Sequence, residues 1–352
     1  MKKILLQPPS GHMANNKIFG PDVNNTSEPW RVLRDRLRML GYELTTADDN
    51  TLDSCAWVFY FDTLGFDGTY IPCGGIKSKI RALFGLKTYR PWPTRKLYQE
   101  AIQAGLENKM ILMMGEGKAV NPENYNPEVW KKFKYILTWD DDLIDNRKFF
   151  KYYPPVPRKE PPKDPPSFQE KKLLANMSCN KRSRHPNELY SERRKTIDFF
   201  DKHYPNDFDL YGYLDVPRER VWPWQIKKHK TNRGESHDKI ETLSHYKFTV
   251  CYENIAKTKG YVSEKILDVL MARSVPVYWG AENIAEYVDP EAFIDRRKFK
   301  NNKELADFLF SVTEEQYDKY LAAGDLYLQS EKFKKFLPEN FSMTIIKMLH
   351  IA

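Results

Sequence analysis

The chain has 352 residues, 41% hydrophobic and 14% aromatic, a globular composition with ample length to bury cores in one to three domains. Its 56 Lys and Arg outnumber 48 Asp and Glu for a net charge of +8, which points to acidic partners: nucleotide-sugar phosphates, an anionic membrane surface or nucleic acid. No run approaches the roughly 18 apolar residues of a membrane span, and the opening MKKILLQPPSG is too short and polar for a signal peptide. The cysteines Cys55, Cys73, Cys179 and Cys251 are widely spaced without a metal-site pattern, so reduced thiols in a cytosolic protein are expected.

In chain order, Lys3 to Gln7 (KILLQ) reads as a buried strand. Trp30 to Leu40 carries Val32, Leu33, Leu37 and Leu40 on one helical stripe, stopped by Gly41. Trp57 to Phe61 is the next strand, ending at Asp62. Tyr98 to Gly105 reads as a helix, Met110 to Met114 (MILMM) as a third strand and Phe133 to Thr138 as a fourth. This alternation predicts a parallel α/β sheet with helices on both faces.

Three polar features punctuate this half. Met114-Gly115-Glu116-Gly117 sets an acid between two glycines directly after a strand, sterically open and where α/β sites lie. Asp140-Asp141-Asp142 imitates a metal-binding Asp-X-Asp, whose hard oxygens would hold a divalent cation. The other reading is a helix or turn start, where acids suit the dipole and Asp caps amide groups. Lys77, Lys79, Arg81, Lys87, Arg90, Arg95 and Lys96 gather around Tyr89-Arg90-Pro91-Trp92, either a contact for a sugar or an acidic lipid-linked acceptor or a solvated loop.

Pro154 to Pro166 (PPVPRKEPPKDPP) is proline at seven of thirteen positions, a semi-rigid spacer that predicts a domain connection. The expected division is 1–153, linker 154–166, a second domain 167–329, and a terminal helical segment 330–352, interrupted at Pro338, packing back on the first domain. Beyond the linker, Lys172 to Met177 (KLLANM) starts a new buried strand; it contains the sequon Asn176-Met177-Ser178, for which no glycan is expected. Tyr190 to His203 reads as a helix with Arg193 and Arg194 near its start, and Phe208 to Gly212 as a strand and turn.

Tyr246 to Gly280 (YKFTVCYENIAKTKGYVSEKILDVLMARSVPVYWG) holds a strand, a polar loop from Glu253 to Val262, a helix from Ser263 to Arg273 and a second strand, Val275 to Trp279. That order is a βαβ crossover, and its loop sits where such units bind ligands. Ala281 to Ile284 begins another short helix and Phe293 to Asp295 closes the sheet. Ser263 suits a helix N-cap facing a phosphate. A nucleotide diphosphate needs Arg or Lys partners with amide or phenol donors, and a ribose diol suits a carboxylate.

Glu253-Asn254, then Tyr261-Val262-Ser263-Glu264-Lys265, then Val275-Pro276-Val277-Tyr278-Trp279-Gly280 resembles the signature of α1,3-fucosyltransferases, glycosyltransferase family 10. Tyr252 stands where that family usually has Phe, and Leu137-Thr138-Trp139 fits a further strand of the pattern. The resemblance implies two Rossmann-like domains facing across a cleft, the GT-B architecture, and inverting transfer of L-fucose from GDP-fucose to a GlcNAc or glucose hydroxyl. By the same resemblance Glu116 is the general base, although Gly117 and Lys118 stand where Ser-Pro is often found. Asn254, Tyr261 and Lys265 hold the diphosphate and Glu264 the ribose. The family's phosphate-binding arginine falls on Arg193 or Arg194; Arg194 is chosen on its spacing to Ile197, with Arg193 and Glu253 as support. No metal ligands and no obligatory cofactor are expected, a divalent cation being at most stimulatory, so the helix-start reading of Asp140 to Asp142 is preferred. The implied partners are GDP-fucose and an oligosaccharide or lipid-linked glycan, with peripheral contact to an anionic membrane at its inner face and no nucleic acid. Rival readings are a transferase for another nucleotide sugar and a noncatalytic basic polyanion- or membrane-binding protein.

Overall fold

The computed structural model describes residues 1–8, 10–21, 27–48, 50–63, 95–212 and 228–351. Two compact units divide the chain: Met1–Pro157 with Leu337–Ala352, and Arg158–Phe336. The basic and aromatic stretch from Lys77 to Trp92, and Cys73, lie outside the described residues.

In the first unit, β1 (Lys2–Gln7), β2 (Tyr42–Thr46), β3 (Cys55–Phe61), β4 (Met110–Met114), β5 (Tyr135–Thr138) and β6 (Phe149–Lys151) form one sheet in the order β2-β1-β3-β4-β5-β6. Every pairing is parallel. All five residues of β4 are buried, the continuous apolar run of a strand covered on both faces. On one face Leu5, Val58, Tyr60, Leu112 and Met114 meet Leu97 and Ala101 of the Leu97–Gln103 helix. On the other, Trp30 of the Glu28–Met39 helix stacks edge-on against Phe59 of β3 and Phe341 of the Pro338–Met348 helix. Arg36 fastens that helix pair, donating to the Ser342 hydroxyl at 2.9 Å. Pro338 starts the last helix rather than interrupting one, a position where its missing N–H leaves no bond unmade.

In the second unit, β7 (Lys172–Met177), β8 (Phe208–Tyr211), β9 (Tyr246–Tyr252), β10 (Val275–Trp279) and β11 (Ile294–Asp295) form a parallel sheet in the order β11-β10-β9-β7-β8. One face buries Leu174, Phe248, Val250 and Val277 against Ile197 and Phe200 of the Tyr190–His203 helix, Leu305 and Leu309 of the Asn302–Ser311 helix, and Tyr317 of the Glu314–Gln329 helix. The Glu264–Met271 helix bears on the opposite face, where the Cys251 thiol reaches the Lys265 carbonyl at 3.6 Å. The βαβ crossover read from Tyr246 to Gly280 is present, with Val275 beside Phe248 through to Trp279 beside Tyr252. Pro276 is tolerated because β11 meets β10 only at Val277 and Tyr278.

Cys55, Cys179 and Cys251 are free thiols. Asn176 is 1% exposed within β7, so its sequon offers no accessible amide. No helix among the described residues is long and apolar enough to cross a membrane.

Candidate active site

Both sheets start with a strand whose two neighbours carry the chain outward in opposite directions, so each has a switch point: β1 beside β3, and β7 beside β9. Loops leaving the carboxyl ends of strands at such a point diverge and leave room for a ligand. In the second unit the two loops are stitched together. Leu189 donates its N–H to the Asn254 carbonyl at 3.1 Å and Ala256 donates to Asn187 at 2.8 Å, around a bridge between Glu188 and Ile255.

Glu253 is the centre of this stitching. It is 0% exposed, and its carboxylate accepts the Ser263 N–H at 2.8 Å and, at 2.7 Å, the Ser263 hydroxyl. The Lys265 amine donates to the same carboxylate at 3.1 Å and to the Ser263 oxygen at 3.0 Å. Ser263 in turn caps the Glu264–Met271 helix by accepting the Lys265 N–H. A buried carboxylate thus fixes both the helix N-terminus, with its outward N–H groups and positive dipole end, and the adjacent amine. Burial by itself would lower the Lys265 pKa; Glu253 and Glu264 outweigh it and hold the amine above its ordinary value, so it stays protonated.

Gly280 makes room for this arrangement. A Cβ there would collide with the Tyr278 hydroxyl and come 2.5 Å from the Glu253 Cγ. The Tyr278 hydroxyl also accepts the Ala281 N–H at 3.0 Å, which closes the turn after β10.

The predicted residues can be placed one by one. Asn254 is partly exposed and donates to the Tyr261 hydroxyl at 3.2 Å; Tyr261 is buried. The Glu264 side chain is 53% exposed, 3.8 Å from the Lys265 amine. Crowding raises the Glu264 pKa, but Lys265 and Lys239 overcome this and hold it down at about 2. Arg193 is 5% exposed and donates to the Tyr252 carbonyl at 2.6 Å and to Glu253 at 3.2 Å. Its charge acts on Lys265, and Tyr190, Glu253 and Tyr261 act on it in turn. Arg194 turns to the loop after β7, donating to the Lys181 carbonyl at 2.7 Å and the Ser191 hydroxyl at 3.0 Å. Two cations therefore lie beside Glu253 at the end of β9, Lys265 on its carboxylate and Arg193 on its backbone carbonyl.

An ion triad behind the helix went unread in the sequence. Asp268, 2% exposed at its side chain, takes Lys159 and Lys239 at 2.6 Å each. Lys159 sits in the proline-rich stretch, so that stretch is pinned to the second unit by a buried charge pair rather than left as a bare spacer. No local pattern announces this, since 109 residues separate Lys159 from Asp268.

In the first unit, Glu116 follows β4 as expected and is partly exposed. Asp140 caps the Asp141–Leu143 turn by accepting the Asp142 N–H, and Asp141 pairs with Lys151 at 2.6 Å. Arg95 donates to the Ala47 carbonyl and pairs with Glu100 at 2.6 Å, a structural role for one member of the basic stretch.

Comparison with proteins of known fold places this architecture. The chain superposes on a crystal structure of an α1,3-fucosyltransferase with GDP over 99% of its own length and 90% of the other, with a TM-score of 0.55 at 16% identity. It superposes on Anabaena Alr3699/HepE, solved with UDP and glucose, over 100% of both chains with a TM-score of 0.54 at 12% identity. The fold is accordingly that of a GT-B glycosyltransferase. Residues 176–338 match the glycosyltransferase family 10 (fucosyltransferase) C-terminal domain. Among curated relatives it is 40% identical over 72 residues to an α-(1,3)-fucosyltransferase FucT of Helicobacter pylori, covering 20% of this chain and 15% of that protein. It is 43% identical over 67 residues to an α-(1,4)-fucosyltransferase of Arabidopsis thaliana, covering 19% and 16%. The matched stretch is thus a small part of those relatives' length.

Proposed function

We propose that this protein transfers L-fucose from GDP-fucose to a GlcNAc or glucose hydroxyl of an oligosaccharide or lipid-linked glycan, inverting the anomeric carbon. The observation that carries the reading is the Glu253–Ser263–Lys265 cluster at the switch point of the second sheet, with Arg193 beside it. The departing GDP gathers negative charge on its diphosphate. Lys265, held protonated, with Arg193, Arg194, the Asn254 amide and the Tyr261 hydroxyl are the groups proposed to take that charge. Fixed donors of this kind need no reorganisation as the charge develops. Glu264 is proposed for the ribose hydroxyls, which a carboxylate accepts in pairs. Glu116 is proposed to remove the proton of the attacking hydroxyl.

The same phosphate-binding groups would serve another nucleotide sugar, and a protein of similar fold is solved with UDP and glucose. Turnover of GDP-fucose, set against UDP-sugars, on type-1 and type-2 disaccharides decides between them. Fucosyl transfer from GDP-fucose alone is the expected result; transfer from a UDP-sugar would replace this reading. Glu116→Gln should abolish transfer while GDP still binds, and retained turnover would remove Glu116 from the role of base.

A further inference from the structure

The carboxyl end of β3 supplies a second acid to the turn that carries Glu116. Asp62 is 6% exposed and has a left-handed backbone, φ 61°. Asp is among the few side-chain-bearing residues that accept this conformation. Here three donors converge on one carboxylate oxygen. The Gly115 N–H at 2.8 Å, the Glu116 N–H at 3.1 Å and the Asn124 side-chain amide at 2.6 Å all reach Asp62 Oδ1. The same Asn124 amide donates to the Glu116 carbonyl at 2.9 Å. Asn124 is 0% exposed, and its oxygen accepts the Thr63 N–H and the Asn121 amide at 3.0 Å each. Both peptide groups of Glu116 are therefore held, one by Asp62 directly and one through Asn124. Gly115 permits this closeness: a Cβ there would lie 2.7 Å from the Phe61 ring and 3.5 Å from Asp62 Oδ2.

We propose that Asp62 is a positioning residue for Glu116, fixing its backbone and coupling to its charge so that the two acids work as one base unit toward a hydroxyl-bearing acceptor. This rests on the reading of Glu116 as the base. The titratable groups facing Asp62 are Glu116, Tyr125 and Tyr152. Burial raises the Asp62 carboxyl to about 7 against the pull of its donors, and the Glu116 charge adds to the rise. Because all three donors sit on Oδ1, the proton of neutral Asp62 belongs on Oδ2.

The test is steady-state kinetics with GDP-fucose and a type-2 disaccharide across the neutral pH range, for the wild type, Asp62→Asn and Glu116→Gln, with GDP affinity measured by calorimetry. Asp62→Asn should bind GDP as the wild type does, lose roughly tenfold in kcat with a misplaced base, and lose from its kcat/KM profile the ionisation at about pH 7 that Asp62 contributes in the wild type. Wild-type kcat with an unchanged pH profile in Asp62→Asn overturns the inference. Asn124→Ser keeps the Asp62 charge but releases the Glu116 carbonyl; it should lower kcat at unchanged GDP affinity. If Asp62→Asn does not fold, full kcat in Asn124→Ser overturns the clamp. Turnover by Glu116→Gln, or no fucosyl transfer by the wild type, overturns instead the functional reading beneath it.

Discussion

A lysine amine 3.1 Å from a carboxylate with no solvent exposure is held in place and held charged. Lys265→Ala removes that charge at the helix N-terminus, and GDP affinity should fall by at least about tenfold, on the order of 1.4 kcal/mol; unchanged affinity by calorimetry would contradict the site. Glu253→Ala is a different kind of loss. It leaves the Ser263 N–H and the Lys265 amine without their acceptor in a buried setting, and should destabilise the fold by about 3 kcal/mol, read by urea denaturation. Asp62 gives a pH signature. Its folded carboxyl titrates at about 7, above its unfolded value, so the native state keeps a proton the unfolded chain has released. That contribution is complete below the unfolded carboxyl range and is lost as pH rises through about 7. The melting temperature should therefore drop from mildly acidic to mildly alkaline pH more steeply in the wild type than in Asp62→Asn. Parallel curves would contradict the assignment.

At the scale of elements, the crossover from β9 to β10 works because its turn after Trp279 is glycine. Gly280→Ala drives a methyl group into Glu253 and Tyr278, and should cost roughly 1–3 kcal/mol as an overpacked contact while weakening GDP binding. A variant of full stability with unchanged affinity would show that the turn can shift freely. The central strands were legible because KILLQ, MILMM and KFTVCY are apolar on both faces. The outer strands of the first sheet were not, whereas β8 and β11, which edge the second, were. β2 (YELTT) is an edge strand with a polar alternation, and β6 (FFK) is a three-residue edge. The helices Asn302–Ser311 and Glu314–Gln329 escaped because their apolar residues are diluted by charge; the second is fixed by a Thr313–Gln316 capping box that is plain once its start is known. The candidate site was half legible. Asn254, Tyr261 and Lys265 stood out through the family signature and its spacing. The Asp62–Asn124 clamp did not, since Asp62 reads from sequence as the polar end of a strand, and its partner lies 62 positions away. The choice between Arg193 and Arg194 turned on side-chain direction, which adjacent positions on a helix do not reveal.

For the molecule as a whole, each unit is an α/β layer with its own parallel sheet and core, and the match to the family domain, residues 176–338, falls almost entirely in the second. The net charge of +8 suits phosphate-bearing ligands but does not choose among them. The phosphate reading rests on the second unit, where Lys265, held protonated, and Arg193 lie beside Glu253 at the switch point. The most direct measurement of that claim is the melting temperature of the wild type and of Lys265→Ala with saturating GDP, UDP, ADP or CDP. A ligand at about a hundred times its Kd stabilises by roughly 2.7 kcal/mol, which gives an upward shift. The expected result is a shift with GDP well above that with the other three, absent in Lys265→Ala. No shift with GDP, an equal or larger one with UDP, or an undiminished GDP shift in Lys265→Ala would contradict it.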